Sequence, residues 1–89
     1  DLNVMIIIDT REPFEYRSSH VERAINIPPA EFMRPKLPEI LNNVASDEQI
    51  ILYCRSGARS NTVGHILRGH GFTNIVNGIN ENHVRKMLG

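Results

Sequence analysis

The stretch from Gln49 to Gly69, QIILYCRSGARSNTVGHILRG, decides how the rest of the chain is read. Its apolar run Ile50-Ile51-Leu52-Tyr53 leads straight into Cys54, the single cysteine of the chain. The small and polar residues Arg55-Ser56-Gly57-Ala58-Arg59 follow. Ser60 then opens a segment whose apolar residues Val63, Ile66 and Leu67 share one helical face. The spacing predicts a strand, a tight loop and a helix, with the thiol at the carboxyl end of the strand. In an open α/β sheet ligands bind at that end. A helix N-terminus beside it offers unpaired N–H groups and the positive end of a dipole.

A thiol in that place has a reason to react. The thiolate is the nucleophilic form, and its pKa falls near helix N-termini and cationic side chains. Arg55 and Arg59 supply the cations. Gly57 frees the backbone to turn successive N–H groups inward as an anion-binding nest. A free cysteine can also be a small buried hydrophobe, but an apolar core position would not be followed by Arg-Ser-Gly-Ala-Arg-Ser. Cys54 is therefore read as a nucleophile, and Arg55, Ser56, Gly57, Ala58, Arg59 and Ser60 as the loop that binds its substrate.

Working outward, three blocks resemble one family in its own order. Cys54-Arg55-Ser56-Gly57-Ala58-Arg59-Ser60 resembles the active-site loop of the rhodanese (thiosulfate sulfurtransferase) family. Ile8-Asp9-Thr10-Arg11-Glu12-Pro13-Phe14-Glu15-Tyr16 is similar to that family's first-strand signature. His20-Val21-Glu22-Arg23-Ala24-Ile25-Asn26-Ile27-Pro28 is similar to the segment after it. The resemblance, strongest to small single-domain bacterial members, implies a double displacement through a Cys54 persulfide. The donor would be thiosulfate or another small sulfane-sulfur compound, and the acceptor cyanide, a thiol or a protein. It also implies that Asp9 and Arg11 support the region beneath the site. An acid at the end of a buried strand needs a partner, so a structural pair is expected of them. Two departures stand out: Arg23 where the family usually has Gly, and Asn77-Gly78, with no tryptophan, where it often has Gly-Gly and an aromatic residue.

The whole chain sets the bounds. Its 89 residues allow one domain, taken as residues 1–89. A composition 40% hydrophobic and 22% charged is that of a soluble globular protein. Ten basic and ten acidic residues leave no overall field for nucleic acid or an anionic membrane. A monomer without either partner is expected. One cysteine excludes an internal disulfide and a cysteine-based zinc cage. His20, His65, His70 and His83 lack paired ligand spacing, so no metal and no cofactor is expected. The apolar run Val4 to Ile8 is far too short to span a bilayer. No signal peptide is expected, and the start at Asp1 without Met suits a processed or trimmed chain. Cytoplasm and periplasm both stay open as compartments.

In chain order the pattern predicts a strand over Val4–Ile8 and a short helix over Glu12–Ser19 with Phe14 packed inward. His20 ends that helix as a structural residue, and a brief strand follows over Ala24–Ile27. One helical turn is expected over Ala30–Met33, then a short helix over Glu39–Val44 with Ile40, Leu41 and Val44 inward. After the central strand and helix, His70-Gly71 forms a C-cap. Phe72–Val76 reads as the last strand, Asn77-Gly78 as a turn, and Asn80 or Glu81 to Leu88 as the final helix. The order implies an α/β fold, a central parallel β-sheet flanked by helices.

Three competing functions stay open. Cysteine phosphatases also set a cysteine before an anion-cradling loop, but with one residue more between Cys and Arg than the four here, Arg55 to Ala58. Arsenate reduction on a related fold is a second. A non-catalytic binding or redox-sensing module is the third, since an exposed low-pKa thiol is also an oxidation target.

Overall fold

The structure, a computed structural model, describes residues 5–89. Val4, expected to begin the first strand, lies outside the described residues. The sheet is four-stranded and parallel throughout: β1 (Met5–Asp9), β2 (Ile25–Asn26), β3 (Gln49–Tyr53) and β4 (Ile75–Ile79), in the order β2-β1-β3-β4. Helices α1 (Pro13–Ser18), α2 (Pro29–Phe32), α3 (Ala58–Gly69) and α4 (Glu81–Leu88) flank it, with a 3-10 turn at Glu39–Leu41. Because successive strand side chains point to opposite faces, β1 and β3 feed two cores. Ile8, Ile50 and Leu52 pack with Phe32, Leu41, Val63, Leu67 and Phe72 on one side. Ile7, Ile51 and Tyr53 pack with Val21, Ala24 and Val84 on the other. That double coverage is why both central strands read as unbroken apolar runs.

Five expectations need correction. Phe14 is 66% exposed instead of packed inward. In a helix of six residues only one narrow face meets the body of the protein, and Glu15 and Tyr16 occupy it. The Tyr16 hydroxyl donates to the Ala24 carbonyl at 2.7 Å. The helix expected over Glu39–Val44 is a single 3-10 turn behind Pro38. Its tighter winding turns Leu41 into the core, leaves Val44 half-buried and puts Ile40 outward. The second strand keeps only Ile25–Asn26 of the expected Ala24–Ile27, because the Ala24 N–H closes a turn onto Val21 O.

The last strand begins at Ile75, not Phe72. The Phe72 N–H donates to Leu67 O at 3.1 Å, capping α3 behind Gly71, and so is not free for a sheet ladder. Asn77-Gly78 is not a turn but part of β4. Leu52 pairs with Asn77 and Tyr53 with Ile79, so Gly78 is an extra residue, a β-bulge at the end of the sheet. Glycine is required there by close approach: a Cβ would lie 2.5 Å from Val84 Cγ2 on α4. Arg23, where the rhodanese pattern has Gly, holds a left-handed backbone at φ 76°. That explains the pattern's glycine and marks a local cost of roughly 1–2 kcal/mol here.

Candidate active site

Cys54 follows β3 directly, and its N–H donates to Ile79 O at 3.1 Å, which ties it to the end of β4. Gly57 then takes φ 94°, a left-handed conformation, and becomes the N-cap of α3. The helix thus starts at Ala58, two residues before the expected opening at Ser60. That reversal brings the Gly57 N–H within 3.1 Å of Cys54 Sγ. Ser60, in the first turn of α3, sets its Oγ 3.6 Å from the same sulfur. Cys54 is 2% exposed and lies at the bottom of a polar cleft of about 340 Å³ that it lines with Arg11, Arg55, Asn80, Glu81 and Asn82.

Two opposing effects act on the thiol. Burial pushes its pKa up, while the Ser60, Gly57 and Ser56 main-chain N–H groups favour the anion, and the thiol sits at about 7, below the ordinary 9.0. A large part of the thiol is therefore ionised at neutral pH without any histidine beside it. His20, expected to be structural, stacks on Tyr16 with ring centroids 3.7 Å apart and contacts Tyr16 O through Nδ1.

The two loop arginines differ. Arg59 Nη1 donates to Glu15 Oε1 at 2.9 Å, and Arg55 Nη1 stands 3.8 Å from Glu15 Oε2 with its side chain 75% exposed. Glu15 also accepts the Glu12 N–H at 2.9 Å. The hydrogen bonds from Arg59, opposed by burial, hold its carboxyl near pKa 2. Ser56 Oγ accepts weakly from the Ala58 N–H at 3.4 Å. Beneath the cleft, Asp9 and Arg11 meet side by side: Nε–Oδ1 is 3.0 Å and Nη2–Oδ2 2.7 Å, in full burial for the carboxylate. Arg11 also reaches Ser19 O at 2.6 Å and Glu81 Oε1 at 3.2 Å. The pair is no surface contact; it joins the end of β1 to the start of α4.

Three residues at this site were not among the site residues expected from the sequence. Glu15 sits on a short polar helix and looks like any solvated acid. Glu81 has the same disguise in the first turn of α4. Asn77 stands out only as half of a turn signal and as a departure from the family pattern, without a role attached. Among the described residues no cluster of three or more His, Cys, Asp or Glu side chains is placed to hold a metal ion, and no helix is long and apolar enough to cross a membrane.

The sequence profile of the rhodanese-like domain matches residues 1–80. The chain belongs to the rhodanese family. A solved structure described as a rhodanese with anions from E. coli superposes with a TM-score of 0.76 at 30% identity, covering 90% of this chain and 91% of that one. Among curated rhodanese relatives, a proposed mitochondrial thiosulfate sulfurtransferase of Schizosaccharomyces pombe is 32% identical over 81% of this chain and 56% of its own length. A tRNA uridine(34) hydroxylase of Salmonella agona is 34% identical over 84% of this chain but only 23% of its own. The chain thus spans less than two thirds of these curated relatives.

Proposed function

We propose that this rhodanese-like chain is a sulfurtransferase with Cys54 as its nucleophile, folded as one domain over residues 1–89. The observation that carries the reading is the Gly57 N–H aimed at Cys54 Sγ from a left-handed N-cap at the head of α3. In the first half-reaction the Cys54 thiolate attacks the outer sulfur of thiosulfate or another small sulfane donor. A Cys54–S bond forms, the donor's S–S bond breaks, and sulfite leaves with the bonding pair. In the second, an acceptor nucleophile attacks the outer sulfur of the persulfide and the Cys54 thiolate is released. The acceptor is cyanide in an assay and a thiol, free or on a protein, otherwise.

Both half-reactions need negative sulfur held at one spot. Main-chain N–H groups fixed by the fold do this without reorganising during the reaction. Arg55, largely exposed at the rim, draws in an anionic donor, while Arg59 shares its charge with Glu15. The engagement of Arg59 by Glu15, together with the short Cys54-to-Arg59 spacing, weighs against a phosphatase, whose arginine must grip the phosphoryl group itself. The solved E. coli neighbour is described as a rhodanese with anions, which agrees with an anionic donor for this fold.

The test is the intact mass of the chain after thiosulfate and then after cyanide. A gain of one sulfur atom that cyanide removes, and that Cys54→Ser abolishes, is expected. Full sulfur transfer by Cys54→Ser, or faster turnover of an aryl phosphate than of thiosulfate, would overturn the assignment.

A further inference from the structure

Asn77 is bonded to Gly57, Ser60 and Ile79 beside the thiol, but not to the thiol itself. Its Oδ1 receives the Ile79 N–H at 3.0 Å, and its Nδ2 donates to Gly57 O at 3.1 Å. Turning the amide over would set donor against donor at Ile79 and acceptor against acceptor at Gly57, so its orientation is fixed by its partners. The oxygen thus fixed lies 2.6 Å from Ser60 Oγ. Two oxygens that close need a proton between them, and Asn77 Oδ1 has none to give. Ser60 must donate its single hydroxyl proton there, leaving only lone pairs toward Cys54 Sγ at 3.6 Å. The Gly78 bulge, which shifts the register between Leu52 and Tyr53, is next to Asn77 and is the kind of irregularity that re-aims a side chain beside a site.

We propose that Asn77 is a positioning residue for Cys54, acting through Ser60 by holding the serine proton away from the sulfur. In the neutral enzyme the thiol S–H donates to Ser60 Oγ. In the thiolate the main-chain N–H groups carry the charge, because the Ser60 proton stays with Asn77. In the persulfide, and here the inference rests on the sulfurtransferase reading, the charge has moved to the outer sulfur. The inner sulfur no longer wants the serine proton, so Asn77 keeps it at no cost. Asn77 thus weights the resting balance toward the sulfur-loaded form and against an over-stabilised free thiolate.

The charged groups around the thiol are Arg55 on the loop, Arg59 on α3, Glu15 on α1, Arg11 after β1 and Glu81 on α4. They are common to all the variants below, so a difference reports on the hydroxyl. The measurement is the pH dependence of Cys54 alkylation by iodoacetamide in wild type, Asn77→Ala, Ser60→Ala and the double variant, with no sulfur donor present. Without Asn77 the Ser60 hydroxyl turns to the anionic sulfur, a stronger acceptor than the Gly57 carbonyl that also lies 3.2 Å from it. Asn77→Ala should move the alkylation midpoint down by about one pH unit, tenfold in the thiolate-to-thiol ratio. In the Ser60→Ala background the same substitution should leave the midpoint where it is. An unchanged or raised midpoint in Asn77→Ala, or an equal fall without Ser60, would overturn the proposal. Asn77→Val, with a side chain suited to a strand, serves if the alanine variant does not fold. No sulfur is transferred in this experiment, so a chain that never carries a persulfide can still pass it, and one that does can still fail.

Discussion

At the scale of single residues, Cys54 ties reactivity to stability. The folded state releases its proton near pH 7, whereas the thiol's ordinary value is 9.0. Between those values the unfolded chain binds more protons than the folded one, so stability should rise with pH across that window. The contribution is absent below about pH 7 and complete above about pH 9. Denaturant titrations of wild type and Cys54→Ala at several pH values check this. The difference between them should grow from pH 7 to pH 9, and a flat difference would mean that the loop does not favour the anion. Glu15 has the same sign at lower pH: its carboxyl sits near pKa 2, so its pairing with Arg59 survives mild acid and is lost only as pH falls through about 2.

At the scale of elements, the bulge in β4 is where local pattern and tertiary packing disagree. Asn-Gly is a turn signal, yet both residues extend the sheet because α4 lies directly over Gly78. A methyl group there would come within 2.5 Å of Val84 Cγ2 and 3.0 Å of Ile51 Cγ2. Gly78→Ala should therefore destabilise the fold by about 1–3 kcal/mol, the usual range for overpacking a core. Chemical denaturation reads this directly, and an alanine variant as stable as wild type would mean that α4 can lift freely. The elements with clean periodicity, β1, β3, α3 and α4, were legible from the sequence to within a residue or two. Those that failed were short: α1 has too few residues to declare which face is inward, and the segment around Ile40 is broken by Pro35 and Pro38.

At the scale of the whole molecule, Asp9 is the joint. Through Arg11 it links β1 to the end of α1 at Ser19 and to α4 at Glu81, and its main-chain carbonyl receives Asn26 from β2 at 3.0 Å. Removing one partner of a buried pair commonly costs about 3–5 kcal/mol. Arg11 would keep Glu81 and Ser19, so Asp9→Ala should fall at the lower end, about 3 kcal/mol. For a domain whose total stability is on the order of 5–15 kcal/mol, that is a large loss. Thermal melting should show it, while the alkylation midpoint of Cys54 stays in place. A large fall in rate with unchanged melting would give Asp9 a direct part in the chemistry.

By itself the amino-acid order determined the strand, loop and helix around Cys54, the parallel α/β arrangement and the resemblance to rhodanese. Periodicity, a glycine in a tight loop and a cysteine before it are all local, and local patterns survive in one dimension. Only the folded chain decided what surrounds the sulfur. Glu15 meets Arg59 across 44 positions and Asn77 meets Ser60 across 17, because parallel strands bring their carboxyl ends together whatever the distance along the chain. Two of the polar partners that set the charge and the protons at Cys54 thus come from other elements, and their own neighbourhoods do not say what they touch.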